Sequence, residues 1–276
     1  PRNPPIGYQP NNFITMNARA LSRRLGGDKA VWKSLAAEYP VATERVLAMW
    51  NIARYFLFFV LAWAVFDLNG SDWVIDSSYL DRRIAGFEIP AGSVQILNTI
   101  FVLLFVPLSL WLFAYLKKHK NWHFSTEKKV FYGMLLLAIA VVAEAIIRIQ
   151  IDEHIAQFGS IAESPDADHN IGLHVAWQII VYAFLSAGEV LFSIGGLELG
   201  YRLGPPELKS TILSIFYLST AAGNLFVQFL HTYRDEGEWL HILAGANLYW
   251  FLAILLFINA ILYFFYIQKR EPVPDF

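Results

Sequence analysis

"AFLSAGEVLFSIGGLELGYRLGPPELKS" (residues 183–210) reads as an apolar helix long enough to cross a bilayer, closed by a Gly-Pro-Pro turn, with a glutamate near its middle. On an α-helix Tyr182, Ser186, Glu189 and Ser193 fall on one face. Gly188, Gly195 and Gly196 permit close helix contact or leave room for a ligand. A charged residue at mid-span costs about 2.5–3.5 kcal/mol to insert, so Glu189 is expected to face a wet or hydrogen-bonding interior. The alternative is an uncharged glutamic acid bonded to a neighbouring helix.

The whole chain fits that environment. Of its 276 residues 56% are hydrophobic and only 16% charged, against about 25% charged in a soluble domain. Six apolar runs follow a polar start, at residues 47–66, 94–116, 130–148, 175–199, 211–230 and 243–267. Each is long enough to span a hydrocarbon core of about 30 Å at about 1.5 Å per residue. The expected organisation is a polar linker over residues 1–46, then an all-α, six-helix membrane bundle with a tail over residues 47–276.

Charge sets the expected orientation. Lys and Arg concentrate in the leading segment, in the 117–129 loop, in the turn with Arg202 and Lys209, and at Lys269 and Arg270. The alternate loops hold few basic residues and many acids; residues 149–174 have no Lys or Arg at all. Sixteen basic residues fall on one side and three on the other. The positive-inside rule then places both termini in the cytoplasm. The membrane is expected to be the plasma or inner membrane.

Other polar residues lie in or beside the spans. Trp63 and Asp67 share a face at the end of the first run, where Asp67 could equally be a plain interfacial carboxylate. Gln95 and Asn98 lie near the outer third of the second run, which Pro107 should kink. Glu144 and Arg148 are spaced as an i, i+4 ion pair or as snorkelling side chains. Tyr217, Thr220, Asn224 and Gln228 form a polar stripe on the fifth run, open to interhelical hydrogen bonding or to a cavity. Glu198, Arg202 and Lys209 read as interfacial residues with a potential gating role.

Several classes of chemistry are excluded or unsupported. With no cysteine there is no disulfide and no thiolate metal site. The histidines lie in or beside loops without metal-ligand spacing, and no phosphate-binding loop, nucleophile elbow or dinucleotide fingerprint occurs. No enzyme activity, metal, cofactor or nucleic-acid partner is expected.

The segment Gly188-Glu189-Val190, Phe192-Ser193, Gly196-Leu197-Glu198 and Tyr201, continuing through Pro206, Lys209-Ser210 and Gly223-Asn224, resembles helices ten and eleven of the proton-dependent oligopeptide transporters. "AWAVFDLNGSDW" (62–73) is similar to their seventh helix, residues 94–108 to the eighth, and 126–147 to the ninth. "NPPIGY" (3–8) resembles the start of their central linker. The resemblance implies the C-terminal half of a major facilitator fold, helices seven to twelve. The E-x-x-E-R motif of the family's first helix is nowhere in this sequence, so a partner N-terminal six-helix half is implied.

The resemblance also implies roles. Glu189 would receive the amino terminus of a small peptide. Trp63, Asn98, Ser193, Phe216 and Thr220 would line its site, Phe216 standing where the family often has Trp. Asp67 would serve the outer gate and proton coupling, the proton being the coupling ion. Leu68, Thr99, Ile180 and Phe216 depart from the family pattern, which leaves a related symporter for another small solute, such as nitrate, as an alternative. A non-transporting scaffold or receptor on the same bundle is the other.

Overall fold

The computed structural model describes residues 12–122, 124–163, 169–204, 208–234 and 237–268. The linker start resembling "NPPIGY", the Pro205-Pro206 turn and the tail with Lys269 and Arg270 lie outside the described residues.

Ten helices account for most of the described chain: α1 (Phe13–Leu25), α2 (Val31–Glu38), α3 (Pro40–Leu57), α4 (Phe59–Asp67), α5 (Asp72–Ser77), α6 (Ile96–Lys120), α7 (Thr126–Phe158), α8 (Ala176–Leu203), α9 (Lys209–Tyr233) and α10 (Ala246–Gln268). Five of them are long and apolar enough to span a membrane, and α3 with α4–α5 makes a sixth, bent by 43° at Phe58. The first run is therefore a broken span. It begins at Pro40, so the linker boundary drawn at residue 46 falls inside a helix. Pro40 suits a first helical position, because its missing N–H is one that no helix uses there.

Local sequence explains the ends. Ser125 Oγ accepts from Lys128 N at 3.3 Å and caps α7, with Glu127 in the first turn. Asn12 Oδ1 accepts from Thr15 N at 2.9 Å and caps α1. The last turn of α6 holds Lys117, Lys118, His119 and Lys120, where the helix dipole favours cations. Pro107 sits inside α6, which continues as one helix through it. A short antiparallel hairpin, β1 (Arg83–Ile84) and β2 (Phe87–Glu88), links α5 to α6.

The bundle packs as a folded row. α6 lies on α8, α8 on α7, α7 on α10, and α4 on α9 and more lightly on α10. Glycine permits close backbone approach between helices. A Cβ on Gly133 would lie 2.6 Å from Phe192 N, and one on Gly188 would lie 2.9 Å from Gly133 O. α7 and α8 therefore meet backbone to backbone, as small residues allow inside a membrane. Gly223 plays the same part for α9, since its Cβ would lie 2.6 Å from Val60 O on α4. α6 has no buried residue and shows Leu103, Leu104, Leu108 and Trp111 to the surroundings.

Candidate functional site

Some of the expected residues adjoin one another within the bundle. Glu189 is half-buried on α8, with the Asn98 side chain of α6 within reach of it. Asn98 also accepts at Oδ1 from Ser186 Oγ at 2.6 Å. Tyr182, one turn earlier, donates from its hydroxyl to Asn69 O at 3.4 Å. The polar face expected on α8 is thus occupied by cross-helix bonds at Tyr182 and Ser186. Glu189 Oε2 is buried with no hydrogen-bond partner among the described residues.

A wall of aromatic rings adjoins it. Phe192, one helical turn from Glu189, lies 5.5 Å from Trp63 on α4. Trp63 lies 5.6 Å from Phe216 on α9, edge-on. Phe216 is buried and also meets Phe56 at 5.4 Å and Phe59 at 6.0 Å, so it belongs to the packed interior behind Trp63. Trp63 Nε1 and Thr220 Oγ1 are buried and, like Glu189 Oε2, unpartnered among the described residues. Each such atom costs about 1–3 kcal/mol when left unsatisfied. The three sit on α4, α8 and α9; Trp73 Nε1 and Glu144 Oε2 are likewise buried and unpartnered among the described residues elsewhere in the bundle. Ser193 lies half-buried one turn beyond Glu189.

The stripe on α9 divides. Thr220 is half-buried, whereas Tyr217, Asn224 and Gln228 are exposed. Their exposure removes the interhelical alternative within this bundle. Exposed amides on a spanning helix need water or another protein surface beside them. Gly223, next to Asn224, is explained by the tight α4 contact.

Asp67 ends α4, half-buried, without a charged partner among the described residues. The ion pairs at this end of the bundle lie elsewhere. Asp72 Oδ1 accepts from Arg234 Nη2 at 2.6 Å, and His231 Nε2 lies 2.8 Å from Asp72 Oδ2, near but outside hydrogen-bond alignment. Asp76, fully buried, pairs with Arg148 at 2.5 Å and accepts from Tyr249 Oη at 2.5 Å. Arg148 also holds Asp152 at 2.7 Å, and Asp152 accepts from Ala246 N at 2.6 Å, capping α10. The i, i+4 reading of Glu144 with Arg148 is corrected: buried Glu144 accepts instead from Gln178 Nε2 at 2.8 Å, and Gln178 in turn accepts from Ser77 Oγ at 2.7 Å. The guanidinium is better served by two carboxylates that sit on the side it can reach. Asp72 and Arg234 are 162 residues apart, and no local spacing could have signalled them.

At the opposite end Glu198 pairs with Lys129 at 2.6 Å, and Arg202 pairs with Glu127. These side chains, read from sequence as possible gate residues, staple α7 to α8 inside the bundle. Lys209 is exposed.

Comparison with known proteins follows the same lines. Residues 30–245 match the profile of the POT family, PTR2. The chain is similar to "Peptide transporter PTR2" of Saccharomyces cerevisiae, 24% identical over 225 residues, covering 80% of this chain and 35% of that protein. It is similar to "Solute carrier family 15 member 1" of Oryctolagus cuniculus, 30% identical over 133 residues, covering 47% of this chain and 19% of that protein. Among solved structures, an auto-inhibited POT family peptide transporter superposes with a TM-score of 0.79 at 24% identity, over all of this chain and 61% of its own. The POT family transporter PepTSo superposes at 0.76 with 22% identity, over 97% of this chain and 60% of its own. The chain thus spans about a third of the yeast relative and about three fifths of these two solved chains. It is a multi-pass membrane protein of a transporter family rather than an enzyme, and it belongs to the POT family.

Proposed function

We propose that this bundle forms the C-terminal half of a proton-coupled symporter for short peptides, working by alternating access against an N-terminal six-helix half. In this reading Glu189 receives the peptide ammonium. A carboxylate meeting an ammonium in a confined, partly dry site gains far more than the same pair in water. Trp63 supplies the wall beside it and a free N–H, and Thr220 a free hydroxyl. Asn98 exchanges its bond to Ser186 for the peptide backbone, which the lightly anchored α6 permits. Asp67 acts at the outer gate, where taking up a proton would weaken its attraction to a basic residue of the other half. Both termini lie in the cytoplasm, as the basic loops direct.

The observation that supports this most is the trio of buried, unpartnered polar atoms on Glu189, Trp63 and Thr220. The exposed amides of Asn224 and Gln228 add a polar surface that lipid would not tolerate. The test is proton-driven uptake of a dipeptide by the complete transporter, wild type against Glu189→Gln. Loss of uptake with the Gln variant is expected; undiminished uptake would remove Glu189 from the role.

A further inference from the structure

The segment before the bundle is folded, and its surface has two halves of different chemistry. α1 buries Met16 and Ala20 against Val31, Leu35 and Val46, forming a small core separate from that of the bundle. Its other apolar residues point away: Ile14 is 75% exposed, Leu21 62% and Leu25 81%. With exposed Ala18 they follow i, i+4, i+7 and i+11 spacing, a continuous stripe along one side of the helix. Nothing among the described residues covers it.

Beside the stripe runs an open groove of about 490 Å³, lined among others by Asn17, Arg24, Lys29, Trp32 and Lys33. No acid pairs with Arg24, Lys29 or Lys33 among the described residues. The nearby acids are engaged elsewhere. Asp28 accepts from Ser34 Oγ at 2.6 Å and from Ala30 N at 2.8 Å, bonds that hold its carboxyl below the usual range, the Ser34 hydroxyl contributing most. Glu38 is bound by Arg23. The groove is therefore a cationic surface with an aromatic side chain in it.

The level of this surface is fixed by contacts to the first span. Trp50 Nε1 donates to Asn17 Oδ1 at 2.9 Å, and the Phe13 ring lies 5.9 Å from Trp50. Trp50 lies on α3, four residues into the apolar part of that helix, which starts at residue 47 after the polar first turns from Pro40. α1 is thus clamped beside the start of the apolar stretch of the first span, the level at which Trp residues and amphipathic helices settle in membrane proteins.

We propose that α1 and its groove are a docking face for anionic phospholipid: Ile14, Leu21 and Leu25 enter the acyl boundary while Arg24, Lys29 and Lys33 meet the headgroup phosphates, with Trp32 at the interface between them. Each basic residue near an anionic surface adds attraction that falls off within a Debye length. The face anchors the segment leading into the bent span, so that its position responds to the charge of the leaflet.

The chain has no cysteine, which favours site-directed spin labelling. Nitroxides are placed at Leu21→Cys, Leu25→Cys and, about 100° round the helix, Ser22→Cys in the complete protein. The protein is reconstituted in vesicles of phosphatidylcholine alone or mixed with phosphatidylglycerol. Accessibility to oxygen and to a water-soluble nickel chelate is then compared. The expected result is that the labels at 21 and 25 meet oxygen and exclude nickel, the label at 22 meets nickel, and phosphatidylglycerol deepens the first two. Replacing Arg24, Lys29 and Lys33 together by Gln abolishes the effect of phosphatidylglycerol. Equal nickel access at all three positions overturns the proposal, as does shielding of 21 and 25 from both reagents, which would mean that protein covers the stripe. A phosphatidylglycerol response that survives the triple substitution overturns the role of the groove.

Discussion

Ser186 Oγ donates to Asn98 Oδ1 at 2.6 Å, tying α8 to α6 one turn from Glu189. Asn98 also lies within reach of the Glu189 carboxylate, so it is a structural tie and a neighbour of the proposed peptide amine at once.

Asn98→Leu leaves the Ser186 hydroxyl without its partner and removes the amide beside Glu189. A loss of about 1–3 kcal/mol in stability is expected, read as a lower unfolding temperature in detergent. Dipeptide affinity falls as well. Ser186→Ala, which removes only the tie, costs about 1 kcal/mol and leaves affinity nearly unchanged. Equal effects on affinity would show that Asn98 acts only through α6 placement.

Gly133→Ala and Gly188→Ala each force α7 and α8 apart, because the new Cβ would come within 3 Å of opposing backbone. Overpacking of this kind costs about 1–3 kcal/mol. Both variants are expected to unfold at lower temperature, and an unchanged transition would contradict the close approach. Gly70→Ala has open space around it and serves as the control.

Arg148→Met breaks a pair with a fully buried carboxylate and is expected to cost about 3–5 kcal/mol. A double-mutant cycle identifies the partner. Coupling between Arg148→Met and Asp76→Asn falls in the range of about 0.5–3 kcal/mol and exceeds that between Arg148→Met and Glu144→Gln. The reverse order would restore the i, i+4 pair that the residue spacing suggested.

That pair shows where the sequence stopped being readable. Six apolar runs and alternating basic loops gave the membrane bundle, because hydrocarbon thickness and charge act on every span alike. The tenth-helix pattern around Glu189 gave the family, and Trp63 and Phe216 lie against each other in the bundle. The partners of buried charges were out of reach, since Asp72 with Arg234 and Asp76 with Arg148 join distant segments. The break at Phe58 was also hidden, as nothing but apolar residues surrounds it. The helices over residues 13–38 were masked by their charge: only the alternation of Met16 and Ala20 with Arg19, Arg23 and Arg24 marks α1 as two-faced.

The central claim is that Glu189 meets the ammonium of a bound peptide, and the affinity of Glu189→Gln for a free-amine dipeptide and for its N-acetylated counterpart tests it most directly. A hydrogen bond to a charged group is worth about 1.5–3 kcal/mol, so the complete transporter should lose roughly ten- to a hundred-fold in affinity for the free amine. Affinity for the acetylated peptide should stay as in wild type. Equal losses for both peptides, or none for either, would contradict the account.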